Sequence, residues 1–234
     1  RNMNHPYSKA MKRDMSQSDF TGVTNGFNSN GMMADWNHFG SLVGYMESHD
    51  EQRINYEGQW SYDGSSIPFA TRMERAKANA AFFLLVPGPK MIWQFGEIGY
   101  DISIDDNGRT GKKPCKTTEY MNVAERKALY DTYSKLIAFR KKNHILFDYD
   151  VNFRWYVDGG HQTGRYLFAT KDGKTMAVFG NFGQGTQSIG VELPAGGSWY
   201  QYDDSSKVWN GSSHTVQMAE GQFYVLVSDK SMCL

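Results

Sequence analysis

The sequence predicts a chain of two textures: α/β structure over residues 1–146, then an all-β antiparallel sandwich over residues 147–234. Three observations carry this. Two apolar, β-prone runs, residues 42–46 and 91–95, each pass abruptly into charge. A stretch with helical spacing follows each of them. After Phe147, short alternating runs are separated by Gly- and Asp-rich turns with no helical stretch between them. A strand that is apolar on both faces reads as a buried parallel strand. Charge at its end then lies where α/β folds build their sites. Closely spaced alternating runs read as a sandwich.

Composition bounds the function. Among 234 residues, Lys+Arg and Asp+Glu are both 25, so the formal net charge is zero. That argues against non-specific nucleic-acid binding, which needs a basic field. No apolar run is long enough to span a membrane. Cys115 and Cys233 give neither a disulfide framework nor metal-ligand spacing. The 40% hydrophobic and 15% aromatic content allows a substantial core. The opening Arg1-Asn2-Met3-Asn4-His5-Pro6 is neither a leader nor an ordinary start, so the chain is expected to begin inside something larger.

Residues 1–35 are polar, and Phe20, Val23 and Phe27 follow no sustained period, which predicts irregular structure with a short helix near 8–15. Trp36, His38 and Phe39 lead through Gly40 into the first strand, 42–46. A loop is expected over 54–68. The capping-box pattern Thr71-x-x-Glu74 then opens a helix whose Met73, Ala76, Ala80, Phe83 and Leu84 recur at helical spacing. Pro87-Gly88-Pro89 stops it. The second buried strand, 91–95, runs into Gly96-Glu97, with Tyr100 and Asp101 behind. A polar segment with an Asn107-Gly108 turn and a basic stretch (Arg109, Lys112, Lys113, Lys116) reads as a solvated loop. Asn122-x-x-Glu125 opens a helix to Lys142, with Leu129, Tyr133, Leu136, Ile137 and Arg140 on one face. Strand, helix, strand, helix makes a parallel unit with both charged strand ends on one side. In the sandwich, strands are expected at 151–157, 165–170, 175–181, 187–193, 198–202, 214–218 and 222–228, with Asp172-Gly173 as a hairpin turn.

The chemistry concentrates in Glu47, His49, Asp50, Glu51 and Arg53. Burying that many charges without partners is costly, so a site or a solvated loop are the two readings. Arg53 is expected to clamp Asp50 or Glu51 through its forked donors. Glu97 reads equally as a substrate contact or a loop anchor. Trp60, Trp93 and Tyr100 are candidates for stacking. Trp199, Tyr200, Tyr202 and Trp209 invite a sugar-binding reading, but at strand spacing they are more often core.

Met46-Glu47-Ser48-His49-Asp50-Glu51-Gln52-Arg53 resembles the fourth sequence motif of the α-amylase family, glycoside hydrolase family 13, where Asn-His-Asp ends barrel strand 7. Pro87-Gly88-Pro89-Lys90-Met91-Ile92-Trp93-Gln94-Phe95-Gly96-Glu97 is similar to its strand 8 pattern, and Leu136-Ile137-Ala138-Phe139-Arg140-Lys141 to its last barrel helix. Gly221-Gln222-Phe223-Tyr224-Val225-Leu226 is similar to the end of its C-terminal domain. The resemblance implies the last β/α units (strands 7 and 8) of a (β/α)8 TIM barrel over 1–146, followed by the C-terminal sandwich over 147–234.

It further implies a retaining enzyme acting on starch or maltooligosaccharides. Asp50 would be the transition-state stabiliser and His49 a contact in the −1 subsite. Glu47, Arg53, Glu97 and Tyr100 are weaker candidates for substrate contact, and Glu47 reads at least equally as an ion-paired structural residue. Two departures stand out: Ser48 replaces the usual Asn, and Gln94 a common Tyr. The family's first three motifs, which carry the nucleophile and the acid/base, are absent, so this chain alone is expected to be inactive. No cofactor is expected in the chain. Calcium, common in the family, would use ligands in the missing part. The expected partners are an α-glucan and either the missing N-terminal part of the barrel or a second copy. The alternatives are a non-catalytic carbohydrate-binding or structural module, a remnant in which only the sandwich folds independently, and a site in which Asp50 and Glu97 themselves form the carboxylate pair.

Overall fold

A computed structural model describes residues 1–25, 43–157 and 163–234. Phe27, Trp36, His38, Phe39, Gly40 and Leu42, which figure in the sequence reading, lie outside the described residues. In the first half, helix α1 (Asn4–Met11) and the short α2 (Gly22–Asn25) precede strand β1 (Gly44–Tyr45). Then come α3 (Ile54–Glu57), α4 (Phe69–Leu84), β2 (Lys90–Met91), α5 (Thr117–Met121) and α6 (Ala124–Lys142). The second half holds β3 (Asn152–Tyr156), β4 (Gly164–Lys171), β5 (Lys174–Asn181), β6 (Gln187–Glu192), β7 (Ser198–Gln201), β8 (Asp204–Asn210), β9 (Ser213–Met218) and β10 (Phe223–Val227).

β1 and β2 pair in parallel, Gly44 with Lys90 and Tyr45 with Met91, joined through α4. They are shorter and wetter than the sequence predicts. Val43 is 48% and Ile92 37% exposed, so the expectation of strands buried on both faces is corrected. The pair forms a sheet of its own, and Asn2 bridges Tyr45 in parallel on the other edge of β1. The short helix expected near 8–15 lies earlier, at Asn4–Met11, and the residues after it are largely irregular. Met3, Tyr7, Ala10 and Met11 recur at helical spacing and are buried, and Tyr7 stacks on Phe20 at 4.2 Å. Neither capping box is made. α4 starts at Phe69 behind Pro68, whose fixed φ suits a helix entry, and α6 starts at Ala124 behind Val123.

The antiparallel half is a six-stranded sheet, β3-β4-β5-β10-β7-β8, with a two-stranded ribbon, β6-β9, on one face. Strand alternation divides its residues between two cores. Leu167, Ala169, Met176, Val178, Val225 and Val227 face the helices, in one cluster with Phe82, Leu129 and Phe139. Phe168, Ala177, Phe179 and Leu226 face the ribbon with Ile189, Val191 and Met218. The sheet is thus covered on both faces, and one apolar core runs across both halves of the chain. The hairpin at Asp172 (φ 50°) and Gly173 (φ 73°) adopts the left-handed pair that the Asp-Gly signal predicts. The sequence reading missed β8, an edge strand of polar, largely exposed residues with no apolar alternation.

Candidate functional site

The loops that follow β1 and β2 open on one cavity of about 300 Å³. Ser48, His49 and Arg53 come to it from the first loop, Trp93 and Tyr100 from the second, and Arg109 and Lys112 from the polar segment beyond. The parallel pairing causes this convergence, because both chains leave their strands at the same end.

Glu47 lies beneath the cavity, 4% exposed. Its Oε1 accepts the Ile54 N–H at 2.8 Å, and its Oε2 lies 3.4 Å from Arg53 Nη1. Burial holds this carboxyl above its ordinary value, the Arg53 charge and the Ile54 N–H pull it back, and Glu97 pushes it up again. Gly96 is required here: a Cβ at that position would meet Glu47 Oε2 at 2.6 Å. The expected clamp of Arg53 on Asp50 or Glu51 is corrected. Arg53 holds Glu47, donates to the Gln94 carbonyl at 2.9 Å and lies 4.8 Å over the Tyr100 ring. Backbone geometry explains it. The chain turns after Asp50 to start α3, which carries the guanidinium back under the strand end.

His49 and Asp50 stand at the opposite extreme. His49 Nε2 lies 3.3 Å from Asp50 Oδ2, with side chains 74% and 69% exposed. The His49 ring is 6.2 Å from the Trp93 ring. Ser48 donates to Glu51, which also accepts from Asn2. Tyr100 is 2% exposed and its hydroxyl donates to the Pro114 carbonyl at 2.6 Å, so it serves as cavity wall. Glu97 is half-buried on the 3-10 turn Gly96–Ile98. Trp60, 44% exposed, packs edge-on to Tyr56 and does not line the cavity.

The sequence reading missed the lock between the two loops. The Gln52 amide accepts from the Ile104 N–H at 2.8 Å and donates to Ser103 Oγ at 2.9 Å. Arg109, expected to be solvated, donates to the Asp50 carbonyl at 2.5 Å. Nothing in local composition distinguishes these residues from ordinary loop polars. Trp199 (2% exposed) and Tyr202 (5%) are core, and Tyr200 and Trp209 pack against it. The described residues bring no group of His, Cys, Asp or Glu together that could hold a metal ion. None of their helices is long and apolar enough to cross a membrane.

No protein-family model and no curated protein matches the chain. Solved structures do. An Anoxybacillus α-amylase superposes with a TM-score of 0.61 at 16% identity, over 95% of this chain and 45% of that one. The α-amylase from H. orenii gives 0.56 at 18%, over 95% and 48%. AmyP in complex with maltose gives 0.66 at 14%, over 95% and 48%. At these identities the likeness is one of fold. The chain spans about half the length of the structures it matches.

Proposed function

We propose that this chain is part of a retaining enzyme acting on α-linked glucans. In this reading, residues 1–146 are the closing β/α units of a TIM barrel and 147–234 its C-terminal sandwich. The observation that carries it is the parallel pair β1–β2, with His49 and Arg53 after one strand and Trp93 and Tyr100 after the other lining one cavity, and Asp50 exposed beside His49 outside that lining. The amylase folds among its structural neighbours support it, as does the AmyP complex, whose ligand is maltose.

A glucosyl ring bound here would lie beside Trp93, where an aromatic face suits the ring's C–H groups. His49 would donate a ring N–H to a sugar hydroxyl, and Asp50 would accept from neighbouring hydroxyls. As the anomeric carbon becomes oxocarbenium-like, the Asp50 carboxylate faces growing positive charge and stabilises it. The Arg109 bond to the Asp50 carbonyl and the Gln52 lock would hold the loop for this contact. The nucleophile and acid/base belong to motifs that this sequence does not carry. The exposure of His49 and Asp50 supports a second reading, a glucan-binding module: an oriented anion in water stabilises charge far less than one in a closed site.

Calorimetry with maltoheptaose tests both readings. His49→Ala and Asp50→Asn should each weaken binding about tenfold or more, in line with ~1.5–3 kcal/mol for hydrogen bonds to charged groups. Unchanged affinity in both variants would sink the site assignment. Release of reducing ends by the unaltered chain, lost in Asp50→Asn, would show that it is an enzyme by itself.

A further inference from the structure

Residues 47–52 carry His49 and Asp50, yet among the described residues they make no backbone–backbone hydrogen bond. Backbone that leaves a strand gives up its ladder partners and must find others. Here side chains supply them. On one flank the Gln52 amide bonds to Ser103 and Ile104, and Arg109 reaches the Asp50 carbonyl. The opposite flank belongs to residues 1–4. Residues 1–3 run parallel to β1: the Tyr45 N–H donates to the Arg1 carbonyl at 3.1 Å, and the Met3 N–H to the Tyr45 carbonyl at 2.9 Å. This segment therefore leaves its pairing at the same end as β1 and β2, and α1 begins there with Asn4.

Asn4 closes the base of the loop. Its Nδ2 donates to the Met46 carbonyl at 2.9 Å and to the Gln52 carbonyl at 2.9 Å. A primary amide nitrogen has two hydrogens, and each meets one end of the loop. The two carbonyls fix the orientation of the group, since the amide oxygen would repel both. The Asn4 N–H in turn donates to Asn2 Oδ1 at 2.8 Å, and the Asn2 amide donates to Glu51. Related side chains do not meet this geometry. Ser offers one hydrogen, Gln places its amide a methylene further out, and Asp has the shape without the hydrogens. An Asp here would aim an anion at two carbonyls. It would not disturb α1, because negative charge in the first turn of a helix is favourable. Asn4→Asp thus separates the loop from the helix.

We propose that Asn4 is a positioning residue: its amide staples the two ends of the His49-Asp50 loop and so sets where those side chains stand against Trp93. That the loop serves a glucan rests on the function proposed above; the staple rests on its own geometry. Amide hydrogen exchange and NMR of Asn4→Asp test it without a ligand. The Ile54 N–H, held by Glu47, and the Ile104 N–H, held by Gln52, report on the two ends of the loop. Both should exchange about tenfold faster or more, on the scale of two ordinary hydrogen bonds. The His49 ring, 6.2 Å from the Trp93 ring, should change its proton chemical shifts. Amides of α1 and of Val178 in β5 should keep their protection. Asn4→Ser, which keeps one donor and adds no charge, should show the same pattern at smaller size, and it carries the test alone if the Asp variant does not fold. Unchanged exchange at Ile54 and Ile104 with an unchanged His49 spectrum would overturn the staple. So would a loss of protection shared equally by α1, which would make Asn4 a residue of the helix alone. Calorimetry with maltoheptaose then reads the consequence for the site, binding weaker by about fivefold or more. A loop effect in a chain whose unaltered form does not bind maltoheptaose would uphold the staple and overturn the glucan reading. Variant and unaltered chain binding alike, with loop exchange unchanged, would do the reverse.

Discussion

Two glutamates, the buried Glu47 and the half-buried Glu220, meet arginines in this chain and are treated in opposite ways. Glu220 lies where the helices join the sandwich. Its carboxylate receives Arg13 Nε at 2.7 Å, Arg13 Nη2 at 3.0 Å, Arg75 Nη1 at 2.9 Å and the Gly185 N–H at 2.9 Å. Burial raises its carboxyl, but these donors outweigh burial and hold it below its ordinary value. Glu47 has one arginine, at 3.4 Å, and one N–H, and there burial wins. Donor count decides the sign. Four short donors make a permanent anion that ties α1, α4 and the β9–β10 turn together. Two donors leave a carboxyl under the site that is costly to ionise.

The sharpest way to break the contrast is Glu220→Gln. It leaves Arg13 and Arg75 with no anion between them, and Arg75 is buried deeply enough that its pKa is already pushed down to about 10. Stripping one partner from a buried ion pair costs about 3–5 kcal/mol. Urea unfolding at neutral pH should show a loss of that size. The sign with pH follows from linkage. The folded carboxyl sits below its unfolded value, so its stabilisation is present above that value and fades as pH falls through the folded one. The gap between the unaltered chain and the variant should therefore close in acid. A gap that is constant with pH would mean that Glu220 acts by packing alone.

A smaller effect is expected at the other glutamate's neighbour. Gly96→Ala places a methyl 2.6 Å from Glu47 Oε2, closer than contact allows, so the carboxylate must shift relative to the Ile54 N–H and Arg53. Overpacking of this kind costs about 1–3 kcal/mol. Because Arg53 also holds the Gln94 carbonyl and the Tyr100 ring, the cavity wall should shift with it. The Trp93 fluorescence response to maltoheptaose reports this. Full stability in Gly96→Ala would mean that the close approach is not a constraint.

How much of this was legible in the sequence follows from how local each signal is. The two strand ends and their parallel order were readable, because apolar runs that break into charge are local patterns. So was the face of α4, Met73 to Leu84, and in α6 Leu129, Tyr133 and Leu136, because helical periodicity needs only a window of residues; buried Phe139 was missed. The strands' real length was not. Whether residues 42–46 form two bonded residues or five depends on what lies beside them, and Val43 and Ile92 are exposed. Strand β8 was hidden because an edge strand of polar residues carries no alternation. Within the site, the reading named His49, Trp93 and Tyr100, which line the cavity, and Asp50, which does not, and it gave Arg53 the wrong partner. The right partner, Glu47, is six residues back along the chain and reaches it only because α3 turns the backbone. The Gln52 and Arg109 contacts, 52 and 59 residues apart in sequence, have no local signature.

The smallest expected effect is also the finest test of the contrast between the glutamates. Glu47→Gln keeps the shape of the side chain and removes its charge. The folded carboxyl lies above its ordinary value. Between the unfolded value, near 4.3 for a glutamate, and the folded one, the folded state therefore holds more protons than the unfolded state. Stability falls as pH rises through that window, the reverse of Glu220. In the protonated form, Glu47 and Gln are close analogues; at neutral pH only the natural side chain has to ionise in a buried place. The advantage of the unaltered chain over Glu47→Gln should thus shrink from pH 4 to pH 7, to about 1 kcal/mol or less, the net worth of an ordinary hydrogen bond. Parallel unfolding series on Glu47→Gln and Glu220→Gln should therefore slope in opposite directions. Equal slopes would place both carboxylates in the same electrostatic class, and the Glu47–Arg53 pair would then be an anchor of the same kind as the one at the helix–sandwich junction.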